Sequence, residues 1–85
     1  MGRIVCTKAI DVRMEEEERF RNFVLSSLND FFNGDFGCIS EEDKAANIED
    51  PSFQLGAYKH DEGERRKIWI MKEDNIVTVL YPEEY

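Results

Sequence analysis

Three runs with strand-like patterning, at residues 53–60, 67–72 and 76–81, occupy the last third of this 85-residue chain. In each run, apolar side chains alternate with others or follow one another over a length typical of β-strands. Polar breaks at residues 61–64 and 73–75 separate the runs and are short enough for hairpins. The pattern therefore predicts a three-stranded antiparallel meander against which the rest of the chain packs.

Alternation divides the side chains of each predicted strand between two sheet faces. In the first run, Phe53, Leu55 and Ala57 share one face, and Gln54, Tyr58 and His60 share the other. In the second run, Ile68 and Ile70 lie opposite Trp69 and Met71. In the third run, Ile76, Thr78 and Leu80 lie opposite Val77, Val79 and Tyr81. Large residues occur in both sets, which predicts either a partly exposed apolar patch or cover from the loop and tail. Gly56 interrupts the first of these strands and indicates a bulge or a close approach by a helix.

The residues before the meander predict one strand and two helices. A β-rich run at residues 3–10 predicts the first strand, and Asp11 is the expected N-cap of a long helix over residues 12–33. One face of that helix carries apolar residues at helical spacing, namely Phe20, Val24, Leu28 and Phe31. Gly34 ends it, and Ser40 caps a short helix from Glu41 to about Asn47.

Together these elements predict an α+β fold for a single domain over residues 1–85. One long helix and one short helix pack on an antiparallel sheet of three to four strands, in the order β-α-α-β-β-β.

The charge balance restricts the classes of partner. With 19 acidic and 11 basic residues, the chain has a net charge of −8, which opposes direct binding to nucleic acid or to an anionic membrane. A basic protein surface is the expected partner, unless the acidity serves solubility alone. No apolar run approaches the roughly 20 residues that a membrane span needs. The two cysteines lie far apart in sequence, which favours free thiols and a cytoplasmic protein.

Few residues are suited to catalysis or metal binding. The metal-ligand types other than carboxylates are Cys6, Cys38 and His60, and zinc would need a fourth ligand such as Asp61. We expect Cys6 in the core, Cys38 in a loop and His60 at a solvated strand end. The carboxylate pairs fall in predicted loops and helix ends, where solvent keeps them ordinary acids. The sequence therefore predicts no enzyme, no metal and no cofactor.

Five blocks carry a resemblance to a known family: GDFG at 34–37, EEDK at 41–44, LGAY at 55–58, KIWI at 67–70 and TVLYPEEY at 78–85. In order and spacing they resemble small bacterial proteins labelled "plasmid-related", which are carried on conjugative elements and prophages. The resemblance implies a mobile-element protein without implying a molecular activity. The turn at residues 73–75 is shorter and more acidic than the Trp-Asp-Arg-Ser turn associated with those proteins.

Two binding surfaces are predicted. The first is acidic and would inhibit a host defence nuclease, as an anti-CRISPR or anti-restriction protein does, by occupying its basic nucleic-acid groove. Its carboxylates are expected at the starts of the two helices: Glu15, Glu16, Glu17 and Glu18, then Glu41, Glu42 and Asp43. The alternative is an apolar sheet face that binds another element-encoded protein, with Trp69, Met71 and Tyr58 as contacts.

Overall fold

The computed structural model describes residues 3–60 and 67–85, and the predicted break at residues 61–64 lies outside that part of the chain. Its elements in chain order are β1 (Arg3–Cys6), α1 (Lys8–Glu16), α2 (Glu18–Phe32), α3 (Glu41–Glu49), β2 (Phe53–Lys59), β3 (Lys67–Glu73), β4 (Ile76–Leu80) and a 3₁₀ turn (Pro82–Glu84). The α+β fold is confirmed, and the three predicted strands agree with β2, β3 and β4 to within one residue at each end.

The sheet is mixed rather than antiparallel throughout. Its strand order is β1-β4-β3-β2, and the β2–β3 and β3–β4 pairs are antiparallel as predicted. β1 joins the β4 edge in parallel, with Arg3 opposite Ile76 and Cys6 opposite Val79. The helices supply the long crossover that a parallel pair requires.

The long helix predicted over residues 12–33 is wrong in its start and its continuity. Helix α1 already begins at Lys8, with Thr7 rather than Asp11 at the N-cap, so the first strand ends four residues earlier than predicted. Glu17 then has an extended backbone and separates α1 from α2. Ile10 of α1 and Phe20 of α2, on either side of this break, are both fully buried in the core.

The core lies between α1, α2 and one face of the sheet. The predicted face of the long helix is confirmed, because Phe20, Val24, Leu28 and Phe31 are all buried. The sheet residues they pack against include Tyr58, Ile68, Ile70, Val77, Val79 and Tyr81. We call the opposite side of the sheet the open face. It carries Phe53, Leu55, Ala57, Trp69, Met71, Ile76, Thr78 and Leu80.

The chain between α2 and β2 covers the outer edge of β2. Gly34 has a φ of 86° at the end of α2, as the sequence predicts for a helix terminus. Beyond it, the Ala57 amide donates to the Phe36 carbonyl (3.0 Å), and the Cys38 amide donates to the Ala57 carbonyl (2.7 Å). The predicted cap of α3 is present, since Ser40 Oγ accepts from the Asp43 amide (3.1 Å).

Gly56 marks a close approach by a helix, which decides between its two sequence interpretations. A Cβ at this position would lie 3.0 Å from Phe31 Cδ1 and 2.7 Å from Tyr58 Oη. A side chain there would force the Tyr58 and Phe31 rings to shift, and β2 runs through the position without a break in its register.

Candidate functional site

The first acidic cluster lies at a junction between helices rather than at a helix start. Glu15 and Glu16 are the last two residues of α1, Glu17 lies in the break and Glu18 is the first residue of α2. All four are exposed. Glu18 lies at the favourable positive end of the α2 dipole, whereas Glu15 and Glu16 lie at the unfavourable negative end of α1. The prediction that all four carboxylates lie at the start of a helix is therefore wrong.

Local cations bind only half of this cluster. Arg13 Nε lies 3.1 Å from Glu17 Oε2, and an Arg21 guanidinium nitrogen lies 3.9 Å from Glu18 Oε1. Glu15 and Glu16 make no ion pair within residues 3–60 and 67–85. These two carboxylates are the ones that remain available to a partner.

The second acidic cluster lies in the first turn of α3, as predicted. Glu41, Glu42 and Asp43 are exposed and face the positive end of the α3 dipole. Lys44 Nζ lies 3.5 Å from Glu41 Oε1, a solvent-exposed pair that contributes little. Asn47 of the same helix is buried, and its amide side chain bonds both the Leu55 carbonyl and the Leu55 amide.

The two acidic clusters lie at opposite ends of the sheet. Arg13, which holds Glu17, also donates to Tyr81 Oη (3.3 Å), just beyond the end of β4. Asp43 of the second cluster instead borders a small depression together with Phe53 and Leu55, at the start of β2. Because β2 and β4 are both antiparallel to β3, the end of one strand lies far from the start of the other. The structure does not join the two clusters into one acidic surface.

Trp69 lies on the open face, but Tyr58 does not. The side chain of Tyr58 points toward the helices, and its hydroxyl donates to the Asp35 carbonyl (2.6 Å). Burial, with added repulsion from the Asp35 and Asp30 carboxylates, raises the pKa of Tyr58 well above its ordinary value. Tyr58 is therefore a core residue, and its predicted place on an apolar binding face is wrong.

The segment after β4 folds onto one end of the open face. Glu84 Oε1 accepts from the Tyr81 amide and from Thr7 Oγ1, both at 2.9 Å. This anchor places the Tyr85 ring edge-on to Trp69, with 5.7 Å between ring centroids. Tyr85 and Glu84 were missed at the sequence level. The sequence does contain a signal for this turn, because Pro82 is followed two residues later by the carboxylate of Glu84. Such a pair is typical of a capped helical turn.

The other end of the open face is a depression of about 480 Å³, lined by Met71, Ile76, Thr78 and Leu80 and by the β3–β4 turn. Phe53 and Ile76 are 42% and 48% exposed at this end. The open face is thus raised by Tyr85 at one end and hollow at the other.

The three candidate zinc ligands do not meet. Cys6 is half-buried against the core, and burial, with repulsion from Asp11, raises the pKa of its thiol. Cys38 is exposed in the loop beside β2. His60 is buried instead of solvated, because its ring packs 4.8 Å from the Phe23 ring and 5.9 Å from the Phe20 ring. Within the described ranges, no three His, Cys, Asp or Glu side chains form a metal-holding group.

No protein-family model, no curated protein and no solved structure matches this chain. In the part of the chain that the structure describes, none of the helices has the length and apolarity needed to cross a membrane.

Proposed function

We propose that this chain is a protein-binding protein without catalytic activity, and that it presents carboxylates to a basic surface of its partner. The observation that carries the proposal is the exposure of Glu15, Glu16, Glu42 and Asp43, which have no ion-pair partner among the described residues. Such carboxylates lose no internal contact when they bind arginine or lysine. The net charge of −8 steers the chain toward a basic surface over longer distances.

The partner class we propose is a nucleic-acid-binding enzyme of host defence in the bacterial cytoplasm. Such an enzyme holds the phosphate backbone in a groove of arginine and lysine, which carboxylates can occupy in its place. The resemblance of the five sequence blocks to proteins of mobile elements supports this class. Because the two acidic clusters lie at opposite ends of the sheet, each is tested separately.

The experiment compares two charge-reversal variants with the natural chain. Glu15→Lys/Glu16→Lys alters the junction cluster, and Glu41→Lys/Glu42→Lys alters the α3 cluster. Binding to purified CRISPR nucleases and restriction complexes is measured at low and at raised salt. We expect one of the variants to lose at least about tenfold in affinity and to show a flatter salt dependence.

A matched control carries the same net charge without altering either cluster. Glu49→Lys/Asn22→Lys/Ser26→Lys also raises the net charge by four, at exposed helix positions. This control should bind within about threefold of the natural chain, because local contacts and not net charge set the lifetime of a complex. Equal affinity of all three variants, or no binding to any enzyme of the panel, would reject the proposal.

The open face supports a second candidate, an accessory protein that binds another element-encoded protein. Trp69 and Met71 are half-buried there, and aromatic and methionine residues are enriched at interface cores. In this case Trp69→Ala should abolish the complex while both lysine variants retain it.

A further inference from the structure

The two ends of the open face have complementary shapes. At the end of the sheet where β3 begins, Tyr85 stands on Trp69 and is 77% exposed. At the end where β3 finishes, Met71 and Ile76 line the 480 Å³ depression. A tyrosine side chain occupies well under half of that volume, so the depression has room for the Tyr85 ring of another molecule.

The first and last residues of β3 carry opposite charges on the open face. Lys59 and Lys67 lie directly opposite each other on β2 and β3, both on the open-face side, and neither has an ion-pair partner among the described residues. Two like charges in this position destabilise a sheet. At the other end, Glu73 and Asp74 are exposed beside the depression, with Arg3 on the far side of β4. Lys67 and Glu73, the first and last residues of β3, therefore offer opposite charges on the open face, and Glu83 and Glu84 lie in the turn at the lysine end.

We propose that the open face is the interface of a two-fold homodimer in which Tyr85 of each copy enters the depression of the other and Lys67 pairs with Glu73 of the partner copy. A two-fold axis that lies midway between the two sheets, parallel to their planes and perpendicular to β3 at the level of Ile70, lays each β3 antiparallel over the other, because Lys67 and Glu73 are equally distant from Ile70 along the strand. The same rotation places Trp69, and the Tyr85 ring upon it, over Met71 in the depression of the partner copy. Stacked sheets lie about 10 Å apart, a gap that a lysine and a glutamate side chain span together.

The size of the face predicts a weak dimer. With about 3.4 Å per residue along β3 and about 4.8 Å between strands, the face covers on the order of 400 Å² per copy. Two faces then bury on the order of 800 Å², less than the roughly 1,000 Å² expected of a stable specific interface. We therefore expect a transient dimer that forms only at high micromolar concentration.

Association is measured by sedimentation velocity from about 5 to about 500 µM, with the monomer mass of 10.0 kDa as reference. Tyr85→Ala should raise the dimer dissociation constant at least about tenfold by removing the ring from the depression. Lys67→Glu and Glu73→Lys should each raise the dissociation constant by a similar factor. The dimer contains the Lys67–Glu73 contact twice, and each variant places two like charges at both of these contacts. Lys8→Glu and Glu49→Lys are the matched controls on the helices and should dimerise normally.

Mixing the two charge variants is the decisive step. In a heterodimer of Lys67→Glu with Glu73→Lys, both contacts join opposite charges, so the mixture should associate more tightly than either variant alone. A monomeric natural chain over the whole range, charge variants that dimerise normally, or a mixture that associates no more tightly than either variant alone would each overturn the proposal. The readout needs no other protein, so it is independent of the acidic-surface function.

Discussion

Replacing Phe20 by leucine tests how the break between α1 and α2 is stabilised. The Phe20 ring is fully buried. It lies 5.9 Å from the Phe23 ring, 5.9 Å from the His60 ring and 6.4 Å from the Tyr81 ring, measured between centroids. The Arg13 guanidinium carbon lies 4.0 Å from its centroid. Leucine keeps much of the apolar volume but removes all of these ring contacts.

The expected loss follows from those contacts. Aromatic pairs and a cation–π contact each contribute about 0.5–1.5 kcal/mol, so Phe20→Leu should lower the free energy of unfolding by about 2–3 kcal/mol after allowing for non-additivity. For a domain of this size that corresponds to a fall in Tm of about 8–24 °C. The variant should still fold, because small domains have a free energy of unfolding of at least about 5 kcal/mol.

Urea and thermal unfolding followed by circular dichroism measure the effect. The control is Phe32→Leu, the same substitution on the same helix at a side chain that is 56% exposed. It loses one ring contact, with Phe31 at 5.8 Å, and should lower stability by at most about 1 kcal/mol. Arg13→Met should cost less in the Phe20→Leu background than in the natural chain, since the two side chains are in contact. A Phe20→Leu variant that melts within about 2 °C of the natural chain would refute the reasoning.

Four further measurements test the core and the thiols. Gly56→Ala should lower stability by about 1–3 kcal/mol in urea unfolding, because its Cβ would lie 2.7 Å from Tyr58 Oη; unchanged stability would contradict the close approach. The raised pKa of Tyr58 favours its neutral form in the folded state, so stability should fall as pH rises above about 10, by up to about 1.4 kcal/mol per pH unit. Tyr58→Phe should remove that part of the slope. A chelator should leave Tm unchanged, and stoichiometric zinc would instead assign Cys6, Cys38 and His60 as ligands. Iodoacetamide should modify exposed Cys38 faster than Cys6, whose raised pKa leaves less thiolate.

Local patterns predicted the backbone elements of this chain well. The alternation in β2, β3 and β4 assigned every side chain to the correct one of two sets, because side chains alternate strictly along a strand. The spacing of Phe20, Val24, Leu28 and Phe31 identified the buried face of α2 for the corresponding helical reason. Gly34 and Ser40 marked helix ends because capping is a short-range interaction.

The candidate surfaces were predicted less completely. The carboxylates of both clusters are exposed, but their separation to opposite ends of the sheet depends on how α1 and α3 pack. The covering of Trp69 by Tyr85 depends on Glu84, which reaches back to Thr7 at the far end of the chain. The helices cover one of the two sets of sheet residues, and the other set forms the open face. Alternation does not indicate which of the two sets the helices cover.

By itself, the sequence determined where strands and helices form and which side chains share a face, because backbone geometry repeats every 2 or about 3.6 residues. The tertiary structure alone decided the helix break at Glu17, the parallel pairing of β1 and the burial of His60. Each of these depends on contacts between residues distant in sequence, such as Arg13 with Tyr81 and Phe20 with His60. Residues 8–10 belonged to the predicted first strand, yet they open α1, in which Ile10 is fully buried.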